Sequence, residues 1–298
     1  MLGCNCTAGL SNTGRPNCVP IQSVTATLIL VALASNGVKN FIDLNAPLPT
    51  WNDLINEADA SKRWFPLPQF ENVELPKADS QFEESNSGRK VFLRQGVRSF
   101  AGELWAEDSS PTLLGKLQGN RCVDFGVYIV DVNGNLIGSE VDGKLYPIPV
   151  DNPSWDPKYM FATDGTTSKI MVSFDFNRLF DESTMYMITP EEAAVNFNEL
   201  EGLIDVNLLN VVPTATDVTF DAKLDYGTAV NKLKFKGALY TDFALFNNTT
   251  GLPVAVTGGQ ENTDGNYTLT YAAQTAGDSM TVSVDKDGFI GSADYLAV

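Results

Sequence analysis

Residues 98–138 read RSFAGELWAEDSSPTLLGKLQGNRCVDFGVYIVDVNGNLIG. The first part alternates: Phe100, Gly102, Leu104 and Ala106 point one way, and Ser99, Ala101, Glu103 and Trp105 the other. A period of two marks a strand with one buried face. Ser110-Pro111 then opens a helix, with a hydroxyl to cap free amides and a proline preset for the first turn. Leu113, Leu114 and Leu117 give that helix one apolar stripe, and Gly119 is placed to end it in the left-handed conformation. A second strand over 123–132 sets Val123, Phe125, Val127 and Ile129 on one face. Asn133-Gly134 predicts a type I′ hairpin turn, because both residues tolerate positive φ. The stretch is thus strand, short helix, strand, turn, strand, and it carries no reaction centre.

Working outward, residues 1–20 have the Gly, Asn, Pro and Cys content of an arm. A strand over 24–33 and another over 39–44, joined at Asn36-Gly37, predict an N-terminal hairpin. Thr50 and Asp53 suggest a capping box for a helix reaching about Ala60. Prolines 66, 68 and 76 argue for extended, exposed chain, in which Trp64 and Phe65 either plug the core or meet a partner. The polar run from Asp79 to Arg89 reads as a projecting loop or hairpin, spanning about 76–90. Pro147 and Pro149 put 144–150 at an edge or in a loop.

Lys169 to Arg178 alternates without fault, with Ile170, Val172, Phe174 and Phe176 on one face, and 185–188 is expected to pair with it. Thr189-Pro190-Glu191-Glu192 starts a helix expected to run to Glu201 and stop at Gly202. Residues 203–211 are expected to close this unit, with 212–216 as linker. Beyond it come seven short strands with Gly, Asn and Asp turns, the texture of an immunoglobulin-like sandwich. The predicted fold is mainly β. A sandwich or barrel core with two or three short helices covers 21–211, and an Ig-like β-sandwich covers 212–298.

The chain of 298 residues has a net charge of −17 and no histidine. The charge opposes nonspecific binding to nucleic acid and to anionic membranes. The missing histidine removes Ser-His-Asp and Cys-His catalysis and the His-Glu-x-x-His zinc hydrolases. A carboxylate-pair glycosidase stays open as a class, but needs two acids in a deep cleft.

Cys4, Cys6 and Cys18 are weak metal candidates, because C-x-C lacks finger spacing and Cys122 would have to be the fourth ligand. A disulfide or free thiols are the other readings, and no cofactor is expected. The apolar run VTATLILVALA at 24–34 is too short to span a bilayer and lacks a signal-peptide flank, so neither export nor a membrane partner is expected. Asp131, Asn133 and Asn135 mimic the start of a calcium loop, but Leu136 stands where glycine is required, which favours a hairpin. Asp181-Glu182 and Glu191-Glu192 read as acids at helix starts. Four Asn-x-Thr patterns carry meaning only in a secreted protein.

The N-terminal strand hairpin, the projecting loop, the 98–138 core and a closing strand pair resemble tailed-phage tail-tube proteins and related neck-ring proteins. The run FALFNNTTGLPVAVTGGQENTDGNYTLTYAAQTAGDSMTVSVDKDGF at 243–289 is similar to bacterial Ig-like decoration domains, and CNCTAGLSNTGRPNC at 4–18 to the start of phage virion proteins. The resemblance implies a non-enzymatic virion protein assembled in the host cytoplasm. It implies stacked, six-fold rings that contact one another and other tail or neck proteins, a loop gripping the next ring, and DNA passing without specific binding. Glu103, Asp124, Ser173 and Asp175, on non-core faces, are then the expected lining of an acidic bore. The competing expectation is a secreted or cell-surface binding module with an Ig-like domain.

Overall fold

A computed structural model describes residues 19–298. The protein is mainly β, with short helices. The first unit packs two sheets face to face. The larger runs Ile42–Asp43, Lys144–Tyr146, Leu136–Val141, Phe125–Asp131, Thr25–Ala32, Trp64–Pro66, with Ile148–Pro149 and Met185–Ile188 added alongside. The smaller runs Asp156–Met160, Lys169–Asp175, Ser99–Trp105, Glu71–Glu74. Leu28, Val127 and Ile129 of the large sheet meet Phe100, Leu104, Val172 and Phe174 of the small one. Phe100 stacks on Phe174 at 5.0 Å, and Trp155 sets its edge on Phe125 at 5.1 Å. Each such side chain, fully buried, contributes about 1.5–3 kcal/mol.

The two sheets differ in a way their sequences explain. Ser99–Trp105 and Lys169–Asp175 bury every second residue and leave the other face open. Thr25–Ala32 and Phe125–Asp131 are buried on both faces. Behind them lies a second core, in which Ile29, Val31, Tyr128 and Val130 meet Trp51, Trp64 and Phe197. That second layer is why both strands are apolar at nearly every position. Trp64 is the core plug, whereas Phe65 stays 39% exposed.

The helix Pro111–Gly119 starts as its sequence dictates: the Ser110 hydroxyl accepts the Leu113 amide at 3.2 Å. Its end differs, because Gly119 remains right-handed at φ −61° and the chain continues into the turn Asn120–Cys122. The Asn133-Gly134 turn is not type I′, since Gly134 alone has positive φ. The Asp131 carboxylate accepts the backbone amides of Asn133 and Asn135, each at 2.9 Å, and so fixes a longer loop. Asn36-Gly37, at φ 50° and 80°, does form a two-residue positive-φ turn, as does Asp142-Gly143. The hairpin that Asn36-Gly37 closes is only two residues deep, because Thr25–Ala32 pairs with Phe125–Asp131 and Ile42–Asp43 with Lys144–Tyr146.

Competing partners account for the other departures. Lys144–Tyr146 lies inside the large sheet, and Pro147 merely breaks it from Ile148–Pro149. Met185–Ile188 joins Leu136–Val141, since both sides of Lys169–Asp175 are already taken. The helix Trp51–Ile55 ends early, and Thr50 makes no side-chain cap. Thr189 and Glu192 do form a capping box, yet that helix stops at Ala193. There Ala194 turns left-handed at φ 54° and Asn196 caps a separate turn, Phe197–Glu199.

The second unit is a two-sheet sandwich. One sheet runs Val256–Thr263, Asn266–Tyr271, Asp217–Gly227, Ile204–Pro213, Phe289–Ile290, with Lys232–Lys234 alongside Asp217–Gly227. The other runs Leu252–Val254, Phe243–Asn247, Ser279–Val284, Ser292–Leu296. Phe220, Phe243 and Tyr267 fill the space between. Six of the seven expected strands are present, and the one expected over 254–257 falls across the break between Leu252–Val254 and Val256–Thr263, which lie in different sheets. The expected boundary at 211/212 moves, because Ile204–Pro213 ladders onto Asp217–Gly227 and sends Val206 and Leu208 into this core. The supposed linker is the turn between those two strands: the Thr214 amide donates to the Asp217 carbonyl at 2.7 Å. The units instead join near Gly202, where a Cβ would come within 3.0 Å of the Pro66 carbonyl.

Candidate functional site

Three surface features follow from this frame. The first is the hairpin Gln81–Glu84/Lys90–Arg94, the projecting segment expected from sequence. Every residue of both strands is exposed. Phe82 and Phe92 pair across one face at 5.7 Å and are each more than half exposed, Val91 lies on the other face, and Leu93 is the exposed, unpaired residue of a register shift. Surface of this kind marks an interaction site on a folded chain. Its root is fixed by charge: Glu182 accepts Lys77 at 2.7 Å and Arg98 at 2.7 Å. The Arg98 guanidinium, against partial burial and with help from Lys77, holds the Glu182 carboxyl below the usual glutamate range. Of the Asp181-Glu182 pair, Asp181 caps the turn Glu182–Thr184 through the Ser183 amide, as acids at a helix start should, and Glu182 serves the hairpin.

The second feature is the open face of the small sheet. Glu103, Ser173 and Asp175 share it, because Ser173 lies opposite Ala101 and Asp175 opposite Ser99. Asp124 does not; it is exposed beside the large sheet and holds the Asn152 amide at 2.6 Å. The face is mixed rather than uniformly acidic. Glu71, Glu103, Asp156 and Asp175 stand on it with Lys158 and Lys169. Lys169 bonds Glu103 at 2.5 Å, and Asn72 and Trp105 donate to the same carboxylate at 2.8 Å each. Burial opposes the charged form of Glu103, and these three donors outweigh it, so its carboxyl sits below the usual range. The Ser99 hydroxyl donates to Asp175 at 2.6 Å.

The third feature escaped sequence reasoning: a cleft of about 820 Å³ between the units. The edge strand Trp64–Pro66, the helix Pro111–Gly119, the 198–205 segment and Tyr226 line it. Its floor is apolar, with Leu67, Leu113, Leu117 and Leu200. Its rim holds Glu107, Asp108, Glu201 and Asp205, and its size suits a ligand or several side chains. Lys116 crosses between the units to Asp205, and to Asp225 at 3.5 Å, with Tyr226 beneath its ammonium. Arg63 is spent on the carbonyls of Glu57 and Ala58, at 2.5 and 2.9 Å. Partial burial and the neighbouring Glu107 carboxylate raise the Asp108 carboxyl above its ordinary value. No motif joins these positions; only the adjacent acids Glu107-Asp108 are visible in sequence.

Cys4, Cys6 and Cys18 lie outside the described residues, and Cys122 is an exposed free thiol. Among the described residues no cluster of Cys, Asp or Glu is placed to hold a metal ion, and no helix is long and apolar enough to cross a membrane. The calcium-like triad is a turn: Asp131 is fully buried and its oxygens are taken by four N–H donors, from Ser23, Asn133 and twice from Asn135. No protein-family model matches the chain, and comparison with curated proteins returns no match.

Proposed function

We propose that the chain is a structural virion protein whose copies join into stacked rings of a phage tail tube or neck, conducting DNA without holding it. The observation that carries this reading is the hairpin Gln81–Arg94, which stands clear of its own core with large apolar side chains bare on both faces. A monomer gains nothing from such a segment, whereas a partner that covers it gains roughly 25 cal/mol for each Å² removed from water.

The open face of the small sheet supports the bore, because Asp175 and Glu71 leave it with an acidic excess once Lys169 pairs with Glu103 and Lys158 with Asp156. An acidic wall whose two lysines are already paired with carboxylates offers DNA phosphates little to hold and so releases few counterions on contact. The second unit is the outward Ig-like decoration domain in this reading, and other tail or neck proteins are the further partners. Negative-stain microscopy of the concentrated protein tests it. Rings or short tubes are the expected result; dispersed single particles at every concentration overturn the reading.

A further inference from the structure

The hairpin and the cleft are complementary in charge. Hairpin residues Glu83 and Glu84 face Arg89, Lys90 and Arg94, a net positive segment in a chain of −17. Arg89 has no acidic partner among the described residues, and Glu84 lies 3.8 Å from the Lys90 ammonium in an exposed pair of little strength. Because Phe82 and Phe92 occupy one face and Val91 the other, a flat surface could cover only part of this apolar area. A two-sided groove is required.

The cleft supplies what the hairpin lacks. Its floor is leucine and proline, and Glu107, Asp108 and Glu201 on its rim have no ion-pair partner among the described residues. Its own cations are committed, Lys116 to Asp205 and Asp225 and Arg63 to backbone carbonyls. Such a site is short of cations and has apolar surface left over.

We infer that the cleft between the units receives the Gln81–Arg94 hairpin of a second copy of this chain, with Arg89 and Lys90 meeting Glu107 and Asp108. The inference rests on the ring-forming reading and adds the mating surface to it. Hairpin and cleft are different patches, so the contact is head-to-tail, the kind that closes into rings or propagates as filaments.

Sedimentation velocity across a concentration series tests it with three variants: Arg89→Glu with Lys90→Glu, Glu107→Lys with Asp108→Lys, and all four changes together. Each pair raises the concentration for half-assembly by at least about tenfold, the equivalent of one lost charge-paired contact. The fourfold variant, with the charges exchanged, returns toward the wild type. Thermal melts establish that each variant is folded. If the lysine pair unfolds, Glu107→Gln with Asp108→Asn replaces it and gives a smaller loss in the same direction. A wild type that assembles while either cleft variant, lysine or amide, assembles equally well overturns the cleft assignment and leaves the ring reading intact. A fourfold variant no better than the pairs also overturns it. A wild type that never assembles overturns both.

Discussion

Replacing Asp131 by alanine tests whether a buried carboxylate, rather than an ion, organises the central turn. Asp131 is fully buried, and its two oxygens accept N–H groups from Ser23, Asn133 and Asn135 at 2.9 Å and the Asn135 side-chain amide at 2.8 Å. Hydrogen bonds to a charged acceptor contribute about 1.5–3 kcal/mol each, and a stranded buried donor costs about 1–3 kcal/mol. The two Asn135 donors are buried and keep that penalty, while Ser23 and Asn133 can turn to water. The two stranded donors together cost about 4 kcal/mol.

All four tryptophans (51, 64, 105 and 155) lie in the first unit, so their fluorescence during urea unfolding reports on it alone. The same change lowers its melting temperature by about 8–16 °C, at about 2–4 °C per kcal/mol for a unit of this size. Asp131→Asn keeps one good acceptor and loses about half as much. A loss under about 1 kcal/mol contradicts the argument. So does a calcium-dependent rise in the wild-type melting temperature, because oxygens occupied by four donors leave no room for the ion.

Trp155→Phe removes the donor that meets the Leu117 carbonyl at 2.7 Å and loosens packing on Phe125 and Phe174; it destabilises the first unit by about 2–4 kcal/mol in urea titration. Gly291→Ala drives a Cβ into the Val206 carbonyl and destabilises the second unit by about 3 kcal/mol, read by calorimetry, while tryptophan fluorescence stays unchanged. The Glu182 carboxyl is depressed in the folded chain. Its stabilisation of the hairpin root is therefore full above the ordinary glutamate range and lost as pH falls through the lower folded value. Amide exchange of residues 77–98 rises on acidification through that window, and Glu182→Gln removes the pH dependence.

What the sequence made legible was local. Perfect alternation gave Lys169–Asp175 and Ser99–Trp105, because one face of each meets water and the other the core. The strands of the second unit were legible for the same reason. Turn chemistry was half legible: Asn36-Gly37 took the two-residue geometry, but at Asn133-Gly134 the buried Asp131 claimed the neighbouring amides and overrode it.

Pairing was not legible, since it depends on which edges are already occupied. Met185–Ile188 found another partner than expected, and Ile204–Pro213 pairs with the strand that follows it instead of closing the first unit. Of the four expected lining residues, period two placed Glu103, Ser173 and Asp175 on one face, but not the cross-strand register that brings Lys169 to Glu103. The cleft draws on segments more than 160 residues apart, from Arg63 to Tyr226, and had no sequence signal.

The central claim is that copies of this chain join through the exposed hairpin into closed rings. Mass photometry of the wild type beside a chain whose 81–94 segment is replaced by a short Gly-Ser turn tests it most directly. The account predicts a discrete higher oligomer for the wild type and monomers for the shortened chain. Wild-type monomers, or the same oligomer from both chains, contradict it.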